Sequence, residues 1–398
     1  LAPVPDETQP TSLNVVGLFA GIGGIEVGLG EAGHRSTLLC EIDDAAQSVL
    51  ARRFSGVEIQ SDITMLESLP PCDLVAAGFP CQDLSQAGRT AGITGSQSSL
   101  VEHVFRLLDS ADPEPTWLLL ENVSFMLSLD RGNAMAWLVD QLERRGFAWA
   151  YRVVDSQAFG LPQRRQRVLL LASRSEDPRS VLLNQHEQPN LASSHEDEFG
   201  CGFYWTEGLR GLGWAVDAVP TLKGGSALGI PSPPAIWSPG SAQLVTPDIR
   251  DAERLQGFPA DWTATEKTTS DGRRNRRRWK LVGNAVSVPV ARWLGQRLLT
   301  SESYHQGDAE LRGNRWPRAA WGRCGERREA DVSMWPVRWP RPHLLDYLEF
   351  ETKLLSARAT AGFLERAERG NLRIPEDFLC EAHAHLESMT TETQLVAA

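Results

Sequence analysis

Short apolar runs that each end in a polar or glycine-rich stretch dominate the first 172 residues of this 398-residue chain. Helical patterns lie between the runs, an alternation typical of a doubly wound, mostly parallel α/β sheet. Strands are predicted at Leu13–Phe19, Thr37–Cys40, Val57–Ile59, Asp73–Ala77, Thr116–Leu120 and Arg167–Ala172. Ligands bind such sheets beyond the carboxyl ends of the strands. The residues at those ends are therefore the first candidates for a functional site.

The first three strand ends predict a nucleoside site. The first strand leads into the turn Phe19-Ala-Gly-Ile-Gly-Gly24, where glycines let a ligand approach the backbone closely. Glu41, after the second strand, can accept hydrogen bonds from ribose hydroxyls, and Asp62, after the third, from an adenine amino group. The sequence has no Gly-Lys-Ser/Thr phosphate loop, which favours a nucleoside without a pyrophosphate. Helix capping is the structural alternative for either acid.

Cys81 is the predicted nucleophile. It follows Pro80 at the end of the fourth strand, and a thiolate is reactive even when partly ionised. The polar, glycine-rich residues 82–99 predict a lid over the substrate. We assign the other cysteines to the alternative role, that of small buried core residues, and their wide spacing favours a reducing cytoplasm over a disulfide or zinc framework. These are Cys40, Cys72, Cys201, Cys324 and Cys380.

Two further motifs supply charged groups. Glu121-Asn-Val123 follows the fifth strand, where apolar surroundings would raise the pKa of Glu121 so that it could donate a proton near neutrality. Gln163-Arg-Arg-Gln-Arg167 precedes the last strand, and its arginines can hold a carbonyl oxygen or a phosphate.

The net charge of −11 argues, taken alone, against a nucleic-acid partner. The charge is uneven, however, because residues 1–150 hold 8 basic and 20 acidic residues, whereas residues 151–300 hold 19 basic and 15 acidic ones. The densest basic run is Arg273–Lys280, and arginine suits phosphate and guanine. A solvated loop is the alternative role for this run.

The pattern changes after residue 172. Residues 173–247 are rich in Gly, Pro, Ser and Trp and predict short elements, and helical patterns return at 248–257 and 288–299. Residues 301–398 form an extension, first rich in Trp and Pro and then helical, whose tryptophans we expect to pack rather than to stack on DNA. Cys380, His383 and His385 share one predicted helix without a fourth ligand, so no metal site is predicted.

Eight short motifs, in order over residues 13–300, resemble those of the cytosine-5 DNA methyltransferases. They are Phe19–Gly24, Glu41–Asp43, Asp62–Thr64, Gly78–Gln82, Glu121–Val123, Gln163–Arg167, Arg254–Pro259 and Gly283–Val286. The resemblance implies a class I, Rossmann-like catalytic domain at 13–172, completed by 281–300. It also implies a smaller target-recognition domain at 173–280, between the catalytic parts, with residues 1–12 as a tail and 301–398 as the extension.

The resemblance also implies residue roles. Cys81 would attack C6 of a cytosine flipped out of duplex DNA, Glu121 would bond N3 and the amino group, and Arg167 would bond O2 with support from Arg165. S-adenosylmethionine, with S-adenosylhomocysteine as product, would be bound by Phe19, Gly21, Gly23, Glu41, Ile42, Asp62, Ile63, Gly78, Pro80, Leu100, Asn284 and Val286. DNA would be contacted by Gln82, Ser85, Thr221, Leu222, Arg276, Arg277 and Arg278.

The expected protein is thus a bacterial, cytoplasmic DNA (cytosine-5-)-methyltransferase of restriction-modification or a related defence, acting as a monomer on DNA. A cognate restriction endonuclease or defence proteins would be further partners, and no membrane is expected. Two alternatives stay open: an RNA (tRNA) cytosine-5 methyltransferase of the same fold, and a catalytically silent DNA-binding regulator.

Overall fold

A computed structural model describes residues 12–80, 100–189, 199–224, 232–269, 275–300, 302–305, 307–313 and 315–397. Three predicted site residues, Cys81, Gln82 and Ser85, and the predicted lid lie outside this described part. The chain divides into two compact units. The first unit comprises 1–154, 166–188 and 286–337, and the second comprises 155–165, 189–285 and 338–398.

A ten-stranded sheet forms the first unit, in the order β14-β16-β15-β6-β8-β5-β4-β1-β2-β3. The neighbours from β3 to β5 in this order are all parallel, as the alternating pattern predicts. The strands are β1 (Asn14–Leu18), β2 (Arg35–Cys40), β3 (Glu58–Gln60), β4 (Leu74–Ala77), β5 (Trp117–Val123), β6 (Ala148–Asp155), β8 (Gln166–Ser173), β14 (Ala309–Glu310), β15 (Ala319–Arg323) and β16 (Glu326–Glu329).

Strand β8 runs antiparallel to β5. Its pairing extends β5 through Val123, beyond the predicted end at Leu120, and places Arg167 opposite Val123. Because the directions are opposed, the start of β8 lies at the same edge as the carboxyl end of β5. This reversal decides where Arg167 lies.

Apolar side chains of the sheet and its helices form one core, which includes Leu18, Val75, Leu118, Val104 and Leu138. The helices of the first unit are α1 (Gly24–Glu31), α2 (Asp44–Arg53), α3 (Leu100–Asp109), α4 (Asn133–Arg144), α5 (Pro178–Leu182) and α9 (Val288–Leu299), with a 3₁₀ segment at Ser124–Gly132. Helices α1 and α9 pack closely, because a Cβ on Gly28 would lie 2.4 Å from the carbonyl oxygen of Val288.

The start of the C-terminal extension belongs to this sheet. Strand β15 pairs antiparallel with β6. Neither strand was predicted from the sequence. Trp316 packs against Trp149 and Tyr151, and its indole N–H donates to the carbonyl oxygen of Gly132 at 2.9 Å. The expectation that this tryptophan packs is confirmed.

The second unit contains a five-stranded sheet in the order β10-β9-β12-β13-β17 and a two-stranded pair, β11-β7. The short elements agree with the loop-rich sequence. The strands are β7 (Gln163–Arg164), β9 (Cys201–Phe203), β10 (Ala215–Val216), β11 (Val219–Pro220), β12 (Ala235–Trp237), β13 (Leu244–Thr246) and β17 (Lys353–Leu354). The helices are α6 (Ile249–Leu255), α7 (Glu266–Thr269), α8 (Arg276–Asn284), α10 (Leu344–Tyr347), α11 (Ala357–Arg369) and α12 (Glu376–Ala397), with a 3₁₀ turn at Ser156–Phe159.

The C-terminal helices supply part of the core of the second unit. Phe363 and Phe378 pack with Phe203 of β9. Glu381 of α12 accepts hydrogen bonds from the indole of Trp237 and from two backbone N–H groups, at 2.8 to 3.0 Å. Helices α11 and α12 are therefore structural parts of this unit.

Two cysteines differ from the expectation that all five are buried. Cys324 is exposed in the turn between β15 and β16, where its φ is 52°, and Cys380 is exposed on α12. Cys40, Cys72 and Cys201 are buried as expected.

Candidate active site and nucleic-acid interface

The glycine turn after β1 forms an open cradle. Phe19, Gly21 and Gly23 have positive φ values of 57°, 56° and 84°, so the backbone bends sharply before α1. A Cβ on Gly21 would meet nothing within 4 Å. The left-handed backbone, and not packing, therefore requires a glycine here, and the space above it is available to a ligand.

Glu41 fixes this turn to the end of β2. Its carboxylate accepts hydrogen bonds from the backbone N–H of Gly21 at 2.8 Å and of Asp43 at 2.7 Å. Helix capping, the alternative role for Glu41, is instead performed by Asp43, which accepts from Ala45 and Ala46 at the start of α2. A carboxylate has about four acceptor positions, so the partly exposed Glu41 has capacity for ribose hydroxyls.

Asp62 and its neighbours lie at the next strand end. One Asp62 oxygen accepts the backbone N–H of Thr64 at 2.8 Å, and this hydrogen bond lowers the pKa of Asp62, which stays an acceptor at neutral pH. Ile42 is 74% exposed, an unusual position for an isoleucine and one suited to cover an apolar ring face. Ile63, by contrast, is buried in the core.

The other predicted cofactor residues are divided between the units. In the first unit, Gly78 and Pro80 follow β4, Leu100 begins α3, and Val286 is partly exposed. Asn284 belongs to the second unit, where its side-chain oxygen would lie 2.5 Å from a Cβ on Gly224.

Glu121 and Arg167 form an ion pair at the edge of the first sheet. The distance between Arg167 Nε and Glu121 Oε1 is 3.0 Å, and both side chains are largely buried. A Cβ on Gly78 would lie 3.4 Å from Glu121 Oε2, so this carboxylate borders the segment that leads to Cys81. The structure thus brings together two of the predicted base-contacting residues, while the protonation of Glu121 stays a prediction.

Asn122 holds the same segment and was not predicted as a site residue. Its buried side-chain amide donates to the carbonyl oxygen of Phe79 at 2.9 Å. Phe79 follows β4 whereas Asn122 lies near the end of β5, and this bond fixes the residues after β4 against β5. Its place between Glu121 and Val123 in the motif was the available signal.

The buried cysteines are poor nucleophiles. Burial raises the pKa of Cys40 and Cys72 to about 11 and that of Cys201 to about 12, so their thiols stay protonated at neutral pH.

Arg165 holds two sequence motifs together within the second unit. It is 1% exposed, and its guanidinium donates to the carbonyl oxygens of Leu222 at 2.9 Å, Gly283 at 3.0 Å and Ala285 at 2.7 Å. The side-chain oxygen of Gln163 accepts a further hydrogen bond from the backbone N–H of Leu222 at 3.0 Å. These contacts define a positioning role for Arg165.

Thr221 and Leu222, which the resemblance predicts to contact DNA, lie in this arrangement. Leu222 is buried, and the hydroxyl of the partly exposed Thr221 donates to the carbonyl oxygen of Arg164 at 2.8 Å. Gly283 permits close approach, since a Cβ there would lie 2.2 Å from the carbonyl carbon of Lys223. Of the predicted pair, only the Thr221 side chain has exposed surface.

The basic run divides into exposed and buried arginines. Arg278, expected to contact DNA, is 5% exposed and bonds Glu253 and Asp261, each at 2.9 Å, and the hydroxyl of Thr263 at 3.0 Å. Its geometry favours a structural role over the expected DNA contact, because its guanidinium is buried and bonded inside the unit. Arg276 is partly exposed and Arg277 is exposed on α8.

The residues present fit S-adenosylmethionine by their chemistry. Carboxylates follow β2 and β3, an exposed apolar side chain lies beside Glu41, and the glycine turn presents an open backbone surface. Among the described residues, no group of three or more His, Cys, Asp or Glu is arranged to hold a metal ion. Nor does the described part contain a helix long and apolar enough to cross a membrane.

Comparisons with known proteins identify the family of this chain. The sequence model of the C-5 cytosine-specific DNA methylases matches residues 13–200. The type II methyltransferase M2.BsuMI of Bacillus subtilis (strain 168) is 48% identical over 377 residues, covering 92% of this chain and 96% of the relative. The type II methyltransferase M.DsaV of Dactylococcopsis salina is 28% identical over 319 residues, 73% and 87% of the two chains.

The similarity to M2.BsuMI extends over more of the chain than the region that contains the eight motifs. Because 92% of this chain is covered, the match includes most of residues 301–398. Among solved structures, the Dnmt2 methyltransferase of S. pombe superposes with a TM-score of 0.54 at 17% identity, covering 72% of this chain and 98% of its own, which shows the shared fold. With this geometry and a 48% identical relative, the chain belongs to the C-5 cytosine-specific DNA methylase family.

Proposed function

We propose that this chain transfers a methyl group from S-adenosylmethionine to C5 of a cytosine flipped out of duplex DNA, as a DNA (cytosine-5-)-methyltransferase (EC 2.1.1.37). The observation that carries the proposal is the Glu121–Arg167 ion pair beside Gly78, three residues before Cys81. A carboxyl group and a guanidinium so placed match N3, the amino group and O2 along one edge of cytosine. Base flipping is required because the reacting face is stacked within the duplex.

The cofactor half of the site binds and orients. Glu41 holds the ribose, Asp62 accepts from the adenine amino group, and the exposed Ile42 covers the adenine ring. When bound, S-adenosylmethionine supplies a methyl group activated by its positively charged sulfur. The glycine turn lets the backbone approach without a side chain in the way.

The base half of the site activates an unreactive carbon. The Cys81 thiolate forms a bond to C6 while N3 gains a proton, so the ring electrons become available at C5. Glu121 holds N3 and the amino group, and Arg167 holds O2 and orients Glu121. C5 takes the methyl group and N3 returns its proton to Glu121. C5 then loses its own proton to a base, and the electrons of that C–H bond expel the Cys81 thiolate and restore the ring. Positioned proton transfer of this kind contributes about 10²–10⁴-fold in rate.

Methyl transfer from labelled S-adenosylmethionine to duplex DNA tests the proposal. We expect incorporation by the wild type, loss with Cys81→Ser, and a covalent adduct with duplex DNA that contains 5-fluorocytosine. Normal turnover by Cys81→Ser would overturn the covalent mechanism. Preferential labelling of tRNA would identify an RNA methyltransferase, and duplex binding without an adduct would identify a silent regulator.

The biological setting is part of the proposal. Similarity to type II methyltransferases supports a modification enzyme of a restriction-modification system. The proposal further assigns it to the cytoplasm, acting on DNA as a monomer beside a cognate restriction endonuclease. Bisulfite sequencing of DNA from a host that expresses the chain would give the modified cytosine and its sequence context. Random modification without a fixed context would contradict this setting.

A further inference from the structure

Glu26 is a buried carboxyl group that the proposed mechanism does not use. It lies in the first turn of α1, immediately after the glycine turn, and is 3% exposed. A Cβ on Gly17 would lie only 2.2 Å from Glu26 Oε1, so the carboxyl group packs against the bare backbone of β1. Gly17 itself is two residues before Phe19. Glu26 therefore lies beneath the glycine turn, on its buried side.

The surroundings of Glu26 leave its charge uncompensated. Its Oε2 has no hydrogen-bond partner among the described residues. Burial raises the pKa of Glu26 to about 7, and the negative charge of the nearby Glu41 adds to this rise. A hydrogen bond from the backbone N–H of Glu26 itself lowers the pKa by a smaller amount.

The elements packed against α1 are β1, β2 and α9. Strand β1 carries no charged residue, and β2 carries Arg35, at the end away from Glu41. On α9, Arg292 pairs with Glu31 at 3.5 Å and Arg297 donates to the carbonyl oxygen of Ser180 at 2.8 Å. No contact of these arginines with Glu26 is seen among the described residues.

A buried carboxylate is costly unless a positive charge accompanies it. The amino-acid end of S-adenosylmethionine carries two positive groups, the α-ammonium and the sulfonium, and one carboxylate, so that its net charge is positive. The geometry points to Glu26 as a positioning residue, a buried counter-charge beneath the glycine turn that ionises when the amino-acid end of the cofactor binds above it. This inference rests on the proposed function, because it requires the cofactor site to be the glycine turn.

Calorimetry of cofactor binding to the full chain without DNA tests the inference. Measurements near pH 7 in two buffers of different ionisation enthalpy count the protons that cofactor binding releases. We expect binding to the wild type to release a fraction of a proton, and binding to the Glu26→Gln variant not to release it. Wild-type affinity for S-adenosylmethionine should rise about tenfold between about pH 6 and pH 8, and the Glu26→Gln variant should lose that slope.

Two controls separate this role from a purely structural one. Methylthioadenosine has the adenosine part but no amino-acid end, so its affinity should be equal in wild type and Glu26→Gln. Glu31→Gln, at the exposed end of the same helix, should retain the wild-type pH slope. Equal weakening of both ligands by Glu26→Gln would show general damage and overturn the inference.

The wild-type measurement stands even if Glu26→Gln fails to fold. Cofactor binding without proton release and without a pH slope would overturn the inference while DNA methylation, and hence the proposed function, remained intact. A wild type that binds no S-adenosylmethionine at all would overturn both.

Discussion

Two pairs of charged residues, one pair in each unit, are used differently. In the first unit, Glu41 and Asp62 lie at strand ends, partly exposed, with acceptor capacity beyond the backbone bonds they make. In the second unit, Arg165 and Arg278 bury their guanidinium groups against carbonyl and carboxylate oxygens. Glu41 and Asp62 keep accessible acceptor positions, whereas Arg165 and Arg278 use their donors to hold loops together. Substitutions in the two sets should therefore affect different measurements.

Glu121→Gln should give the largest effect, and on catalysis. A glutamine retains the shape but cannot exchange a proton with N3, so kcat should fall by about 10²–10⁴-fold. Single-turnover methyl transfer at saturating DNA measures this, and Glu114→Gln, which removes an exposed ion pair with Arg174, is the matched control. Unchanged kcat in Glu121→Gln would place Glu121 among the structural groups.

Arg165→Met should instead act on stability. The substitution removes three buried hydrogen bonds to backbone carbonyls, which we expect to cost about 3–5 kcal/mol in the free energy of unfolding. Denaturant unfolding followed by tryptophan fluorescence measures the loss. Arg164→Met, an exposed neighbour in the same motif, should cost clearly less, and equal costs would contradict the assignment of Arg165 as the buried link.

Glu26 should make the stability of the protein without cofactor depend on pH. Its pKa is about 7 in the folded state and 4.5 as the ordinary value, so the folded protein binds the proton more tightly. The contribution is fully present below about pH 4.5 and is lost as the pH rises to about 7. Above that pH, Glu26→Gln should be more stable than wild type by on the order of 1–3 kcal/mol. A difference between the two proteins that is constant from pH 4.5 to 8 would contradict this.

The basic run offers a comparison within the second unit. Arg276→Ala combined with Arg277→Ala should reduce the slope of log affinity for DNA against log salt concentration by about 2, with little loss of stability. Arg278→Ala should destabilise the unit, because it leaves Glu253 and Asp261 without their common partner. Filter binding at several salt concentrations measures the slope. An unchanged slope in the double variant would place the phosphate contacts elsewhere.

Local patterns in the sequence were sufficient to predict the strands and turns that form the cofactor half of the fold. The apolar strands, the glycine turn and the acids Glu41 and Asp62 follow one another within about 50 residues, and period and turn chemistry act over that range. Strand β6 and the hairpin of the extension were missed, because their pairing joins residues about 170 apart.

Only the tertiary structure decided the use of the remaining charged residues. In the sequence, Arg165 and Arg167 are equivalent members of one motif, and Arg278 is one arginine in a basic run. The antiparallel direction of β8 brings Arg167 to Glu121, while Arg165 and Arg278 reach partners up to 120 residues distant. Whether a charge faces a ligand or the interior depends on those long-range pairings, which residue type and spacing do not encode.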